Sequence, residues 1–105
     1  MFSDDDIIQL RKSYIEIGKL VQQYGCGQYN GILKIVMGQI NCIDSDASED
    51  EKNQYLVESY NRIFGNPKGL GDFVIYDKNK EMTKQLNEKF CKAMNDIWNI
   101  IKPYI

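Results

Sequence analysis

Apolar residues recur along this chain at three- and four-residue spacing in four separate blocks, the period of helices that each bury one face. In the first block Ile7, Leu10, Tyr14, Ile17, Val21 and Tyr24 make one stripe over residues 4–24. Ser3 with Asp6 three positions on is a capping-box start, and Asp4 and Asp5 suit the positive end of a helix dipole. Gly25 and Gly27 supply the stop, because glycine tolerates the left-handed conformation that ends helices. The second block, 30–42, has Asn30 as a candidate cap and Ile32, Leu33, Ile35, Val36, Met37 and Ile40 around most of its circumference. Such a helix has little polar face and is expected to be the central, most buried one. Gly38 within it leaves room for a neighbour to approach closely.

A polar loop over 44–50 precedes the third helix, 49–64, with Ser48 and Glu51 in capping-box register. Tyr55, Leu56, Tyr60, Ile63 and Phe64 form its stripe, Gly65 ends it, and Asn66-Pro67 forbids continuation. Residues 69–72 read as a turn, with Asp72 satisfying turn N–H groups, and Phe73-Val74-Ile75-Tyr76 is the one good strand candidate. A lone strand has unpaired edges, so a partner near Pro67–Leu70 or Lys78–Lys80 is expected, giving a small hairpin around 72–77. The last helix, 80–102, carries Met82, Leu86, Phe90, Ala93, Met94, Ile97, Trp98 and Ile101, with Pro103 after it. The expected architecture is mainly α: one helical domain over 1–105, four helices with one short β-hairpin-like element before the last. Ile35, Val36, Leu56, Phe73, Leu86, Phe90 and Trp98 are expected to be buried together.

Composition narrows the picture. A chain of 105 residues with 43% hydrophobic residues can bury a core without metal or disulfide. Cys26, Cys42 and Cys91 are odd in number and far apart, so they read as small buried hydrophobes in a reducing compartment. No run approaches the ~20 apolar residues of a membrane span. The start Met1-Phe2-Ser3-Asp4-Asp5-Asp6 is acidic where a signal peptide would be basic, so a cytoplasmic protein is expected. Residues 1–61 hold ten acids against five bases, and residues 62–105 hold eight bases against five acids. The acidic total of −2 argues against direct nucleic-acid binding, and the asymmetry permits steering of a charged protein partner.

Catalytic chemistry is hard to place. The chain has no His, which removes the commonest general base and half of any Ser–His or Cys–His pair. Asp44, Asp46, Ser48 and Asp50 alternate as calcium-loop ligands do, yet the sixth position, which should be Gly, is Glu49, and the twelfth is Tyr55. The glycine-rich stretch 65–71 lacks the Gly-Lys-Ser/Thr helix start of a phosphate loop. Neither enzyme chemistry, cofactor nor metal is expected. Five acids within eight residues, Asp44, Asp46, Glu49, Asp50 and Glu51, exceed what one helix cap needs, and they are the first candidate contact surface. Asp4, Asp5 and Asp6 are the second, with Tyr29, set among polar and glycine neighbours, as a candidate exposed aromatic.

Tyr60-Asn61-Arg62-Ile63-Phe64-Gly65, then Gly69-Leu70-Gly71-Asp72-Phe73-Val74-Ile75, then Asn87-Glu88, resemble small bacterial immunity proteins of polymorphic-toxin and contact-dependent growth inhibition systems. The similarity covers roughly residues 55–100. Gly69-Leu70-Gly71 stands where a Gly-Ser pair is usual, and Asn66-Pro67-Lys68 looks like an insertion. The resemblance implies a cytoplasmic protein that binds a cognate toxin, commonly a basic nuclease domain, and blocks its active or substrate-binding surface without chemistry. The alternative reading is a non-enzymatic helical regulatory or scaffold protein, with self-association left open.

Overall fold

In the computed structural model, residues 2–65, 69–70 and 73–105 are described. They form helices α1 (Asp4–Tyr24), α2 (Asn30–Asp44), α3 (Glu49–Phe64) and α4 (Lys80–Ile101), followed by a 3-10 turn, Lys102–Tyr104. The expected turn at Asp72 and the Pro67 side of the candidate hairpin lie outside the described residues.

The helix starts follow their caps. At α1 the box is complete: Asp6 N–H donates to the Ser3 hydroxyl at 3.1 Å, and Ser3 N–H donates to the Asp6 carboxylate at 3.2 Å. At α3 the Ser48 hydroxyl accepts from Glu51 N–H at 3.2 Å, but the Glu51 carboxylate makes no return bond, so only half of that box is present. Asn79 caps α4 by accepting from the N–H groups of Glu81 and Met82. The expected Asn30 cap is not made; α2 starts from Tyr29 without a side-chain cap. In the α1–α2 turn, the left-handed residues are Cys26 (φ 52°) and Gly27 (φ 78°), while Gly25 stays right-handed.

Helix α1 packs against both α2 and α4, and α3 packs against α2. Neighbours run antiparallel. Arg11 reaches Asp44 while Gly18 faces Leu33 and Val36, and Gln9 lies by Asp96 while Tyr24 lies by Asp77, just before α4. Gly38 faces Tyr55, and a Cβ there would come within 2.6 Å of the Tyr55 hydroxyl, so glycine permits the close α2–α3 approach. Between the same helices, buried Gln39 donates to the Ser59 hydroxyl, which donates to the carbonyl of Tyr55. The outcome is an elongated up-down-up-down bundle of 44 × 24 × 23 Å.

The central helix is α1, not α2. Leu10, Tyr14, Ile17, Leu20 and Val21 are buried on α1, whereas α2 buries only Val36, Gln39 and Ile43. The nearly all-apolar surface of α2 has one side turned outward, where Met37 is 53% exposed. Val36, Leu56, Phe73 and Phe90 share the core as expected. Ile35 and Leu86 are half-buried at its margin, and Trp98 is 41% exposed, with its ring tilted over Tyr60 at 5.9 Å on the α3–α4 seam. Cys26 and Cys91 are exposed and Cys42 half-buried, which corrects the reading of all three as buried hydrophobes.

The expected hairpin is absent among the described residues; residues 73–77 form no regular element and belong to no sheet. Their alternation is real nonetheless: Phe73 and Ile75 are buried, and Val74 and Tyr76 are exposed. A side chain of α4 takes the place of a partner strand. The Asn87 carboxamide accepts from Ile75 N–H and donates to Ile75 C=O, both at 2.9 Å. One turn earlier, the Thr83 hydroxyl accepts from Asp77 N–H at 2.8 Å and donates to Asp77 C=O at 3.0 Å. An amide side chain presents the same donor–acceptor pair as a peptide group, so the inner edge is satisfied without a strand.

Asn87→Ala should therefore leave the backbone of Ile75 unpaired in a buried setting and cost about 1–3 kcal/mol. Hydrogen exchange should show lost protection at Ile75 before the helices melt. Phe90→Ala should cost about 3–5 kcal/mol in urea unfolding. Trp98→Ala should cost clearly less, because much of the indole already meets solvent.

Candidate functional site

The sequence separates Asp4–Asp6 from Glu49–Glu51 by more than forty positions, and the fold brings the two segments to the same end of the bundle. Asp4 and Glu49 line one small cleft of about 140 Å³ with Phe2, Ile7, Lys52 and Asn53. Phe2 ties this end together: its N–H donates to the Asn53 side chain at 3.1 Å, and its ring packs edge-on against Tyr104 at 4.7 Å. Both acidic segments are first turns of helices, where N–H dipoles favour carboxylates. Two such turns side by side concentrate negative charge beyond what either alone would hold.

The acids at this end have different employment. Asp6 is committed to the α1 capping box. Asp44 closes α2 rather than starting a loop, a helix end where a carboxylate is disfavoured. Arg11 compensates it with a two-pronged ion pair from α1, Nε to Oδ1 at 2.9 Å and a second bond to Oδ2 at 3.1 Å. Hydrogen bonding and the charge of Arg11, with a further pull from Lys52, hold the Asp44 carboxyl below its usual range. Asp44 thus already has its cation within the chain, and a partner is not needed to explain it. Lys52, the one cation lining the cleft, donates to the last-turn carbonyl of Ile43 at 3.0 Å. Among the described residues the ion pairs are Arg11–Asp44 and Lys92–Asp96. Asp4, Asp5, Asp46, Glu49, Asp50 and Glu51 are exposed and outside both pairs.

Tyr29 is not part of this end. It lies at the α1–α2 turn, half-buried, with its ring edge-on to Phe73 at 5.1 Å, which corrects the expectation of a freely exposed aromatic. Among the described residues, no group of three or more His, Cys, Asp or Glu side chains is arranged to hold a metal ion. None of their helices is long and apolar enough to cross a membrane. What this end can do chemically is present several free carboxylates to a cationic surface.

The fold also creates a feature that sequence reading missed. A groove of about 610 Å³ runs between α1 and α2, with Ile15, Gly18, Leu33, Met37 and Ile40 along it and Lys19 and Lys34 among its lining. Its signal was the apolar excess on α2, which pointed equally to burial and to an open apolar wall. Compared with protein-family models, curated proteins and solved structures, the chain matches none.

The Arg11–Asp44 pair carries a pH signature. A carboxyl held below its unfolded value stabilises the fold above the ordinary carboxylate range, and this contribution fades as pH falls through it. Arg11 stays charged throughout that window. The gap in urea midpoint between the parent and Asp44→Asn should therefore be present at pH 7 and close on acidification. A gap that is unchanged at pH 3 would place the role of Asp44 elsewhere.

Proposed function

We propose that this chain is an immunity-type inhibitor: a non-enzymatic cytoplasmic protein that binds a cognate toxin domain and covers its active or substrate-binding surface. The observation that supports it most is the meeting of two acidic helix starts at one end, with Asp4, Asp5, Asp46, Glu49, Asp50 and Glu51 exposed and unpaired within the described chain. A nuclease domain that grips phosphates offers a basic surface, and complementary charge speeds its encounter with an acidic inhibitor. The resemblance over residues 55–100 supports the same class of partner. Inhibition of this kind needs complementarity and no reacting group, in keeping with a sequence that has no His.

A second reading, a helical scaffold or regulator, has one observation in its favour. The α1–α2 groove, with Met37 53% exposed on it, is apolar enough to receive a helix. Genomic context separates the two readings: a toxin gene immediately upstream favours inhibition, and a regulon or enzyme operon favours the scaffold.

The test is co-expression with the product of the preceding gene, followed by binding kinetics on the purified pair. Asp5, Asp46 and Asp50 are changed together to Lys, leaving Ser3, Asp6, Ser48 and Glu51 to keep the caps, and Asp44 to keep its pair with Arg11. The variant should stay folded, associate with the toxin domain at least about tenfold more slowly at low salt, and lose much of its salt dependence. Association matching the parent at every salt concentration would remove this end from the interface.

A further inference from the structure

The groove of about 610 Å³ between α1 and α2 has two helices for walls, so it offers side chains rather than backbone groups. Ile15, Leu33, Met37 and Ile40 give it an apolar floor that the bundle leaves uncovered: the three aliphatic residues are half-buried, and Met37 is 53% exposed. A Cβ on Gly18 would lie 3.6 Å from Val36 and 4.0 Å from Leu33, which fixes the register of the two walls. Lys19 and Lys34, each the next residue along its helix, therefore line the groove at one level from opposite sides. Both are exposed, and neither takes part in the ion pairs Arg11–Asp44 and Lys92–Asp96. Among the described residues no acid lines the groove. Gly65, Leu70 and Phe73, which border the residues left undescribed, line no part of it; Gly65 sits against Asn61, and Phe73 against Tyr29 and Phe90. Two like charges are thus held across an apolar floor, where they repel unless an anion comes between them.

We propose that this groove is a docking site for an acidic amphipathic helix of a protein partner. The apolar stripe of that helix covers Ile15, Met37 and Ile40, and carboxylates on its two flanks meet Lys19 and Lys34. The charge selects the occupant, because lysines on both walls call for acids on both sides of the stripe. The shape agrees. From Ile15 to Gln22 the α1 wall runs about 10 Å, the length of two helical turns. An extended strand would find no backbone edge to pair with here. An acyl chain with one anionic head would leave much of its surface in water, since a floor with Met37 half in solvent is shallow. A second copy offering the same groove would set its Lys19 and Lys34 against those of the first and add repulsion where attraction is needed. The groove shares no residue with the cleft of Asp4 and Glu49, so this docking rests on neither reading of the acidic end.

The test uses the full chain with ¹⁵N-labelled amides and a blocked peptide, acetyl-Glu-Leu-Ala-Glu-Leu-Leu-Glu-Glu-Leu-Ala-Glu-Leu-Leu-Glu-amide, whose leucines fall at helical spacing between glutamates. At low salt it should shift the amides of Ile15, Lys19, Lys34 and Met37. The same peptide with every Glu replaced by Gln should bind at least about tenfold more weakly. Lys19→Glu with Lys34→Glu should weaken the acidic peptide by a similar factor, and a peptide with every Glu replaced by Lys should bind that variant better than the parent. Both lysines are exposed, so the variant should stay folded; should it not, the glutamine peptide on the parent protein still decides. Asp5, Asp46 and Asp50 are untouched, so failure here leaves the acidic contact standing. Equal binding of the glutamate and glutamine peptides, shifts confined to other surfaces, or no shift at millimolar peptide would overturn the proposal. Groove shifts that grow with protein concentration without peptide would overturn it in favour of a second copy, and groove shifts from laurate but not from the peptide would overturn it in favour of a small amphiphile.

Discussion

Burial of α1 on two sides at once is the constraint from which the remaining structure follows. Leu10, Tyr14, Ile17 and Val21 are almost wholly removed from water, and no single neighbour could cover them. With α2 and α4 both running antiparallel to α1, α3 is left to close the bundle against α2 and, through Tyr60 and Trp98, to meet α4 side chain to side chain. The core is not perfectly satisfied. The Tyr14 hydroxyl is buried without a hydrogen-bond partner among the described residues, and burial drives its pKa upward. Its ring contributes apolar area to the centre while its oxygen is a cost, the kind of compromise a tyrosine brings to a helix seam.

An up-down-up-down bundle with α1 at its centre also decides where the polar residues go. The starts of α1 and α3 are brought to one end, and with them six acids of two first turns. The α1–α2 turn and residues 73–77 are brought to the other. Charge is therefore segregated by topology rather than by any one motif, and the acidic N-terminal half of the sequence becomes an acidic end of the molecule. Two cations offset part of it: Arg11 pairs with Asp44, and Lys52 lines the cleft beside Asp4 and Glu49 while donating to a carbonyl at the end of α2. The acids left over are those with no structural duty beyond the helix dipole.

The four helices were legible from their apolar spacing, and for α1 and α3 the caps agreed with it: Ser3 and Ser48 each stand where a helix begins. What spacing could not reveal was how completely each apolar face would be covered. For α2 an all-round apolar pattern meant a groove as well as a core, and for Trp98 helical register meant a seam rather than the centre. The strand was legible in its alternation and misleading in its partner. Period-two burial of Phe73 and Ile75 demands that backbone groups be satisfied, but it does not say by what, and a single Asn from a helix suffices. Convergence of Asp4 with Glu49 could not be read at all, since it depends on helix order in space.

The Asn87 clamp also explains why a strand-like segment can persist here without a sheet. Strands ordinarily pair on both edges or are protected by charge, proline or brevity, because an open edge recruits other chains. Residues 73–77 rely on brevity and on the neighbouring α1–α2 turn, which narrows access from one side. Held by two helix side chains, the segment is fixed in register against α4, and its outer groups point in one direction. The same two side chains of α4 therefore complete the fold where the alternating pattern alone would have called for a second strand.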